Sequence, residues 1–131
     1  GSTTENARAK FLASLNAQMK CAEAHVAGET QYAITKKRYV KQGDGTRQLT
    51  DKAVTVKPWW FAEGNAYFVS PRYANKTLEL VKGKFSISCG NKLAGVLAVL
   101  KTLRDATASG ELDKALEATA IAARDRMKKK R

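Results

Sequence analysis

Residues 32–45 read YAITKKRYVKQGDG, and the chain changes here from a helical pattern to a strand pattern. Up to residue 41 it is rich in β-branched and aromatic residues, which favour a strand. Residues 42–45 then supply two glycines and an aspartate, which adopt positive φ at little cost and therefore predict a turn. The chain leaves a helical pattern here and enters a region of strands that extends to residue 89.

Four further strands are expected between this turn and residue 89. Pro58 lies inside the first of them, so that strand is expected at a sheet edge or with a bulge. Tight turns are expected at Gly64-Asn65 and Lys82-Gly83. Because short turns join consecutive strands antiparallel, the pattern predicts one antiparallel meander of about five strands. The four strands are assigned to residues 53–61, 66–70, 77–81 and 84–89.

Helical patterns flank the strands on both sides. Residues 5–27 carry apolar side chains at three- and four-residue steps, and two further apolar stripes follow over residues 93–103 and 112–123. The order helix, strands, two helices predicts an α+β fold that forms a single domain over residues 1–131. We expect the two C-terminal helices to pack on one face of the sheet, which leaves its other face wet.

The two ends of the chain are expected to add little to this domain. Gly1-Ser2 resembles the remnant of an expression tag, and residues 1–4 are expected to be a flexible start. Residues 126–131 are expected to form a flexible basic tail. No apolar run approaches the roughly 20 residues that span a bilayer, and no signal-peptide pattern is visible. A cytoplasmic location is therefore expected.

The charge distribution indicates a polyanionic partner. The chain has 24 Lys and Arg against 12 Asp and Glu, a net charge of +12. Residues 36–57 hold seven basic and two acidic residues, and residues 124–131 hold six basic residues and one acidic residue. The predicted helical regions 1–31 and 92–123 are neutral. Such clustering is typical of a surface that binds nucleic acid.

Aromatic residues lie between these cations, a pattern that suits single-stranded DNA. Bases stack on aromatic rings with about 1–3 kcal/mol each, while Lys and Arg neutralise phosphates. If the strand over residues 53–61 alternates regularly, Lys57, Trp59 and Phe61 share its wetter face. The expected nucleic-acid-binding residues are Lys36, Lys37, Arg38, Tyr39, Lys41, Arg47, Lys57, Trp59, Phe61, Arg72, Tyr73, Lys128, Lys129, Lys130 and Arg131.

Each group of these residues has a plainer interpretation. The rings could pack within the sheet, and the lysines could line a solvated edge strand that resists aggregation. The basic tail could be a solubilising end or place cations favourably at a helix C-terminus. On balance we expect a non-enzymatic protein that binds DNA rather than RNA and prefers single strands.

No catalytic site, metal site or cofactor is expected. The single histidine, His25, lies beside the apolar stripe of the first helix and is expected to be structural. Cys21 and Cys89 are far apart and match no metal-ligand spacing. We expect reduced thiols, and a single bridge between them is the alternative. A Gly-rich phosphate loop and a nucleophile elbow are both missing from the sequence.

A protein-interaction module is the alternative function. The chain would then be a small phage or plasmid factor that binds an acidic host protein. The apolar faces over residues 93–103 and 112–123 support this hypothesis, because one of them could form a homodimer interface. Coverage of the sheet by both faces is the simpler interpretation.

A set of residues and short motifs carries a resemblance to a known family: Trp59-Trp60-Phe61, Tyr67-Phe68, Tyr73, Leu78-Glu79-Leu80, Lys82-Gly83-Lys84 and Gly110-Glu111-Leu112-Asp113. With these motifs, residues 20–125 resemble a domain-of-unknown-function family of proteobacterial and phage or plasmid genomes. The resemblance implies a bacterial or mobile-element setting and implies no site residue. The meander followed by helices is also similar to Whirly-type single-stranded DNA-binding proteins, although the leading helix departs from them.

Overall fold

The computed structural model describes residues 2–129, with the side chains of residues 4–126. Within this range the order is one helix, seven short strands and two helices, which confirms the predicted α+β class and element order. The helices are α1 (Ser2–Val26), α2 (Leu93–Ala108) and α3 (Asp113–Lys129). The strands are β1 (Ala33–Lys41), β2 (Arg47–Thr55), β3 (Trp60–Glu63), β4 (Ala66–Val69), β5 (Arg72–Tyr73), β6 (Lys76–Thr77) and β7 (Ile87–Ser88).

The strands form three small antiparallel sheets and not the single meander that was expected. β1 pairs with β2, β3 and β7 flank β4, and β5 pairs with β6. The strand expected over residues 53–61 is two strands, because β2 ends at Thr55 and Pro58, which has no N–H to donate, lies in the bend before β3. The hairpin expected over residues 77–89 is reduced to one bridge between Val81 and Lys84.

The hydrophobic core lies between the three helices and the β3–β4–β7 sheet. The apolar stripes that the sequence predicts for the helices supply most of it, and Val69 and Leu78 complete it from the strand region. Most of both faces is therefore occupied within the chain, and the homodimer interface considered above stays a prediction. The helical residues of this core are Phe11, Leu15, Met19 and Ala22 of α1, Val96, Leu100 and Leu103 of α2, and Leu116 of α3. We refer to the helices and this sheet as the body.

The β1–β2 hairpin projects from the body, and we refer to residues 33–55 as the arm. Its two nine-residue strands each span about 30 Å at about 3.3 Å per residue. Side chains on both of its faces are exposed, and Ile34 and Val54 near its base are half-buried. A two-stranded hairpin is only marginally stable by itself in water. The arm therefore depends on its attachment to the body at this base.

One partly buried ion pair joins α1 to α3. Nε and Nη2 of Arg8 donate to Oδ1 and Oδ2 of Asp113 at 2.9 and 2.6 Å. These hydrogen bonds, together with the charge of Arg8, lower the pKa of the Asp113 carboxyl below its ordinary value. Asp113 also begins α3, where a negative charge is favourable near the positive end of the helix dipole.

The cysteines and the histidine pack within the body. Cys21 and Cys89 are free, and burial raises the pKa of both thiols. His25 is half-buried, its Nδ1 donates to the Cys21 carbonyl at 2.9 Å, and its ring meets Trp60 edge-on at 5.3 Å between centroids. Among the described residues no group of three or more His, Cys, Asp or Glu side chains could hold a metal ion. Nor does the described part of the chain contain a helix that is long and apolar enough to cross a membrane.

Candidate nucleic-acid interface

One face of the arm carries cations without a carboxylate among them. Directly opposite residues of an antiparallel pair share a face, and the register places Lys36 opposite Lys52 and Arg38 opposite Thr50. Among the described side chains, none of these cations has a carboxylate within ion-pair distance. Two lysines directly opposite destabilise a hairpin, so folding alone does not favour this pair. We define the basic ribbon face as residues Lys36, Arg38, Val40, Gln48, Thr50 and Lys52.

The opposite face of the arm is mixed. Lys37 lies opposite Asp51, which offsets part of its charge, and Lys41 lies opposite Arg47. Between these pairs, Tyr39 is 69% exposed and faces Leu49. Tyr39 is the most exposed of the rings that the sequence predicts as stacking platforms.

The turn at the tip of the arm holds its acidic residue in place. Oδ1 of Asp44 accepts hydrogen bonds from the backbone N–H and the hydroxyl of Thr46 at 3.0 and 2.6 Å. These hydrogen bonds lower the pKa of the Asp44 carboxyl. Gly45 adopts φ +89°, which completes the turn. The Asp44 carboxylate is therefore committed to the turn and does not pair with the neighbouring cations.

A cleft of about 720 Å³ opens where the base of the arm meets α1. Cations from four separate segments line it, whereas none of its described lining residues is acidic. Lys10 comes from α1, Lys36 from β1, Lys57 from the bend after β2, and Arg72 from β5. We define the basic cleft by Lys10, Lys36, Lys57, Trp59, Arg72 and Tyr73. Because Lys36 belongs to both surfaces, the cleft continues the basic ribbon face.

The two aromatic residues of the cleft also pack on the core. The Trp59 ring stacks on Phe11 with centroids 5.6 Å apart, and Tyr73 meets the same ring edge-on at 6.3 Å. The prediction that Trp59 stands on the wet face of a strand is wrong, because β2 ends at Thr55 and the alternation does not continue to residue 59. Both rings are half-buried and contribute to the lining of the cleft.

Gln18 fixes the segment that carries Lys57 and Trp59. Its side chain is buried, Nε2 donates to the Lys57 carbonyl at 2.9 Å, and Oε1 accepts from the Trp59 N–H at 2.8 Å. The two hydrogen bonds bracket Pro58 and hold the bend against α1. Sequence reasoning missed both Gln18 and Lys10. The available signal for Gln18 was a polar residue three positions after Leu15, within the apolar stripe.

Arg72 is held at the rim of the cleft by a tight turn. Its Nη2 donates to the Asn75 carbonyl at 3.0 Å. Ala74 and Asn75 adopt φ of 54° and 65°, a left-handed conformation that is unfavourable for alanine. The turn therefore positions a cation and retains backbone strain at the edge of the cleft.

The predicted binding residues are divided among the arm, the cleft, the β3–β4 pair and the C-terminal end of the chain. Phe61, 43% exposed, is stacked on Phe68 in the β3–β4 pair and does not line the cleft. Lys128 and Lys129 end α3 with side chains outside the described range, and Lys130 and Arg131 lie outside the described residues. The cleft brings together Lys36, Lys57, Trp59, Arg72 and Tyr73. The arm carries Lys36, Lys37, Arg38, Tyr39, Lys41 and Arg47.

Comparison with known proteins identifies no relative of the chain. The chain matches no protein-family model, no curated protein and no solved structure. The resemblance to a bacterial and mobile-element family, and the likeness to Whirly-type proteins, stay predictions. Any function assigned to the chain must therefore come from its own surface chemistry.

Proposed function

We propose that this protein is a non-enzymatic DNA-binding domain that places its arm in a groove of duplex DNA. The observation that carries the proposal is the basic ribbon face, which is exposed, cationic and free of carboxylates. It projects from a body whose hydrophobic core contains no residue of the arm. Such a surface is suited to phosphates, which supply most of the sequence-independent affinity for DNA.

The dimensions of the arm fit this target. The major groove is about 12 Å wide and admits a two-stranded ribbon whose strands lie about 4.8 Å apart. The arm is about 30 Å long, close to the roughly 34 Å of one turn of the duplex. Because both faces of the ribbon are exposed, cations on either face can contact the phosphates that border the groove.

Packing of the rings favours duplex DNA over the single strand that the sequence suggested. Binding of single strands relies on successive bases stacking on free aromatic faces. Trp59 and Tyr73 are half-buried against Phe11 in the cleft, and Phe61 stacks on Phe68, so none of these three rings extends a row of stacking platforms along the arm. Tyr39 alone among the described candidate rings is mostly exposed. The arm therefore offers cations in a row and only one free ring.

A salt titration gives the first test, by fluorescence anisotropy of a labelled DNA duplex. If the six arm cations each contact one phosphate, the slope of log K against log salt is about −5. The double substitution Arg38→Gln with Lys52→Gln is expected to weaken binding on the order of tenfold and to flatten the slope by about 2. The six cations are Lys36, Lys37, Arg38, Lys41, Arg47 and Lys52.

A charge-matched control separates a defined surface from general attraction. Lys101→Gln with Lys114→Gln removes two exposed cations from α2 and α3. The control should keep most of the affinity of the unchanged protein. Equal losses in both double variants, or no duplex binding at low salt, would contradict the proposal. Retention of an acidic protein from nuclease-treated lysate, without DNA binding, would favour the protein-interaction alternative.

A further inference from the structure

We infer that the basic cleft binds one unpaired nucleotide, with its base against Trp59 and Tyr73 and its phosphate against Lys10, Lys57 and Arg72. This inference deepens the proposed function and rests on it. It assigns the cleft a ligand that the arm, which carries no enclosed site, does not accommodate.

The lining of the cleft combines the two chemistries of a nucleotide. A planar base requires an aromatic or apolar wall, and a phosphate requires converging cations. The cleft supplies both, and its volume of about 720 Å³ lies within the range of small-ligand sites. Lys10, Lys57 and Arg72 come from separate segments of the chain, so only the folded chain brings them together. No described lining residue is acidic, so nothing in the lining would repel a phosphate.

The cleft is also built in advance of any ligand. Gln18 fixes the backbone on both sides of Pro58, which sets the positions of Lys57 and Trp59. The Asn75 carbonyl holds the Arg72 guanidinium at the rim. The left-handed Ala74 beside it is backbone strain of the kind that clusters at binding sites. Preorganised groups lose little freedom on binding, which favours affinity.

A nucleotide could reach this cleft from two sources. One is an unpaired residue at the end of a strand, beside the duplex held by the arm. Lys36 supports this source, because it belongs to both the basic ribbon face and the cleft, so that a bound strand can pass from one to the other. The other source is a free nucleotide. Both present the same chemistry to the cleft, and the experiment distinguishes them.

Three probes test the inference: a blunt DNA duplex, the same duplex with a short thymidine overhang, and free thymidine triphosphate. Affinities are measured by anisotropy or competition, and Trp59 fluorescence is followed in a Trp60→Phe background. The protein should bind the duplex with the overhang about fivefold or more tightly than the blunt duplex, since stacking of one base on an aromatic ring increases affinity by about this factor. Overhang binding should also change the Trp59 emission. A change with free thymidine triphosphate alone would identify the free nucleotide as the source.

Variants assign the effect to the cleft. Lys57→Gln with Arg72→Gln should abolish the overhang preference, or the response to the triphosphate, and largely spare blunt-duplex binding. Arg38→Gln with Lys52→Gln should weaken both duplexes equally and keep their ratio. Lys101→Gln with Lys114→Gln should change neither quantity. Since all six substitutions are at partly or fully exposed side chains, folding should be preserved, and circular dichroism checks it.

The outcomes separate the cleft from the arm. Equal affinities for the two duplexes, with no Trp59 response to thymidine triphosphate, overturn the cleft inference even if the duplex binds. A preference that survives in the Lys57 and Arg72 variant also overturns it. A third outcome is that the unchanged protein does not bind the blunt duplex but responds to a nucleotide, and that Lys57→Gln with Arg72→Gln removes this response. The proposed function then fails and the cleft assignment stands.

Discussion

The residues of the body favour its folding, whereas part of the sequence of the arm opposes its folding. The body buries apolar residues of all three helices around Phe11 and Leu100. The arm buries almost nothing and places Lys36 directly opposite Lys52, a pairing that opposes its folding. The two roles are therefore carried by different regions of the chain. The body stabilises the fold by burying apolar side chains, and the arm exposes positive charges that do not stabilise it.

This division has a consequence for mutagenesis. Substitutions in the body should change unfolding and leave any binding surface intact as long as the chain folds. Substitutions in the arm should change binding and leave global unfolding almost unchanged. The base of the arm is the exception, because the cleft is formed by both regions. The arm contributes Lys36, and the body contributes the backbone segment that Gln18 holds by hydrogen bonds.

The largest difference is expected between Leu100→Ala and Tyr39→Ala. Leu100 is fully buried, so its truncation should destabilise the fold by about 2–5 kcal/mol through lost transfer energy and a cavity. Tyr39 is 69% exposed and lies opposite Leu49, so its truncation should cost less than about 1 kcal/mol. Urea denaturation measures both values. Similar losses would show that the arm folds as part of the core.

A pair of glycines gives the next contrast. A Cβ at Gly95 would lie 1.9 Å from the carbonyl oxygen of Cys89, so Gly95→Ala forces the start of α2 away from the end of the β3–β4–β7 sheet. We expect a loss of about 1–3 kcal/mol from this overpacking. Gly43→Ala, in the turn of the arm, meets nothing within 4 Å and serves as the control. Thermal unfolding of both variants should show a lower Tm only for Gly95→Ala.

The ion pair between Arg8 and Asp113 gives the body a pH dependence. Because the pKa of Asp113 is lower in the folded than in the unfolded chain, its contribution to stability is present above the unfolded value of about 4. It is lost as the pH falls through the lower folded value. Asp113→Asn should therefore reduce stability at neutral pH and flatten the acid limb of the stability profile.

Urea denaturation at a series of pH values from neutral to about 2 tests this expectation. Asp105→Asn, at an exposed side chain of α2, is the matched control. An acid limb that Asp113→Asn leaves as steep as before would show that the pair does not stabilise the fold. Duplex binding at neutral pH should be the same for both variants, since neither residue belongs to the arm or the cleft.

The smallest expected effect on stability has the opposite sign. Lys52→Glu replaces a like-charge pair across the arm by an attractive one and should stabilise the hairpin by about 0.2–1 kcal/mol. The same change puts a carboxylate on the basic ribbon face and should weaken duplex binding more than Lys101→Glu does. Hydrogen exchange of arm amides and anisotropy measure the two effects. Tighter binding by Lys52→Glu would contradict a phosphate-binding role for this face.

Much of the body was predictable from local patterns. The three- and four-residue steps of α1 and α2 identified Phe11, Leu15, Val96 and Leu100 as core residues, because one face of each helix must be buried. The strands were less predictable, since pairing depends on partners distant in sequence. β7 pairs with β4 and not with its expected hairpin partner over residues 77–81. Turn residues alone do not indicate which distant strand will be the partner.

The cleft shows the same limit at the candidate site. The sequence pattern predicts Lys57, Arg72 and the aromatic residues as part of a binding site. It assigns Trp59 to the wrong face, because the alternation of strand faces does not continue past Pro58. Lys10 and Gln18 lie on a helix that looked neutral and purely structural. Their role depends on the position of α1 against the bend after β2, which no local pattern reports.

The α+β class, the three helical faces and the concentration of positive charge in residues 36–57 could all be read from local patterns along the chain. These follow from residue spacing and composition, which act over a few neighbours along the chain. The separation of β1 and β2 as an arm, and the meeting of Lys10, Lys57 and Arg72 in one cleft, emerge only in the folded chain. The physical reason is that such placement is set by long-range packing against α1, where burial of Phe11 and hydrogen bonding of Gln18 select one arrangement of the chain.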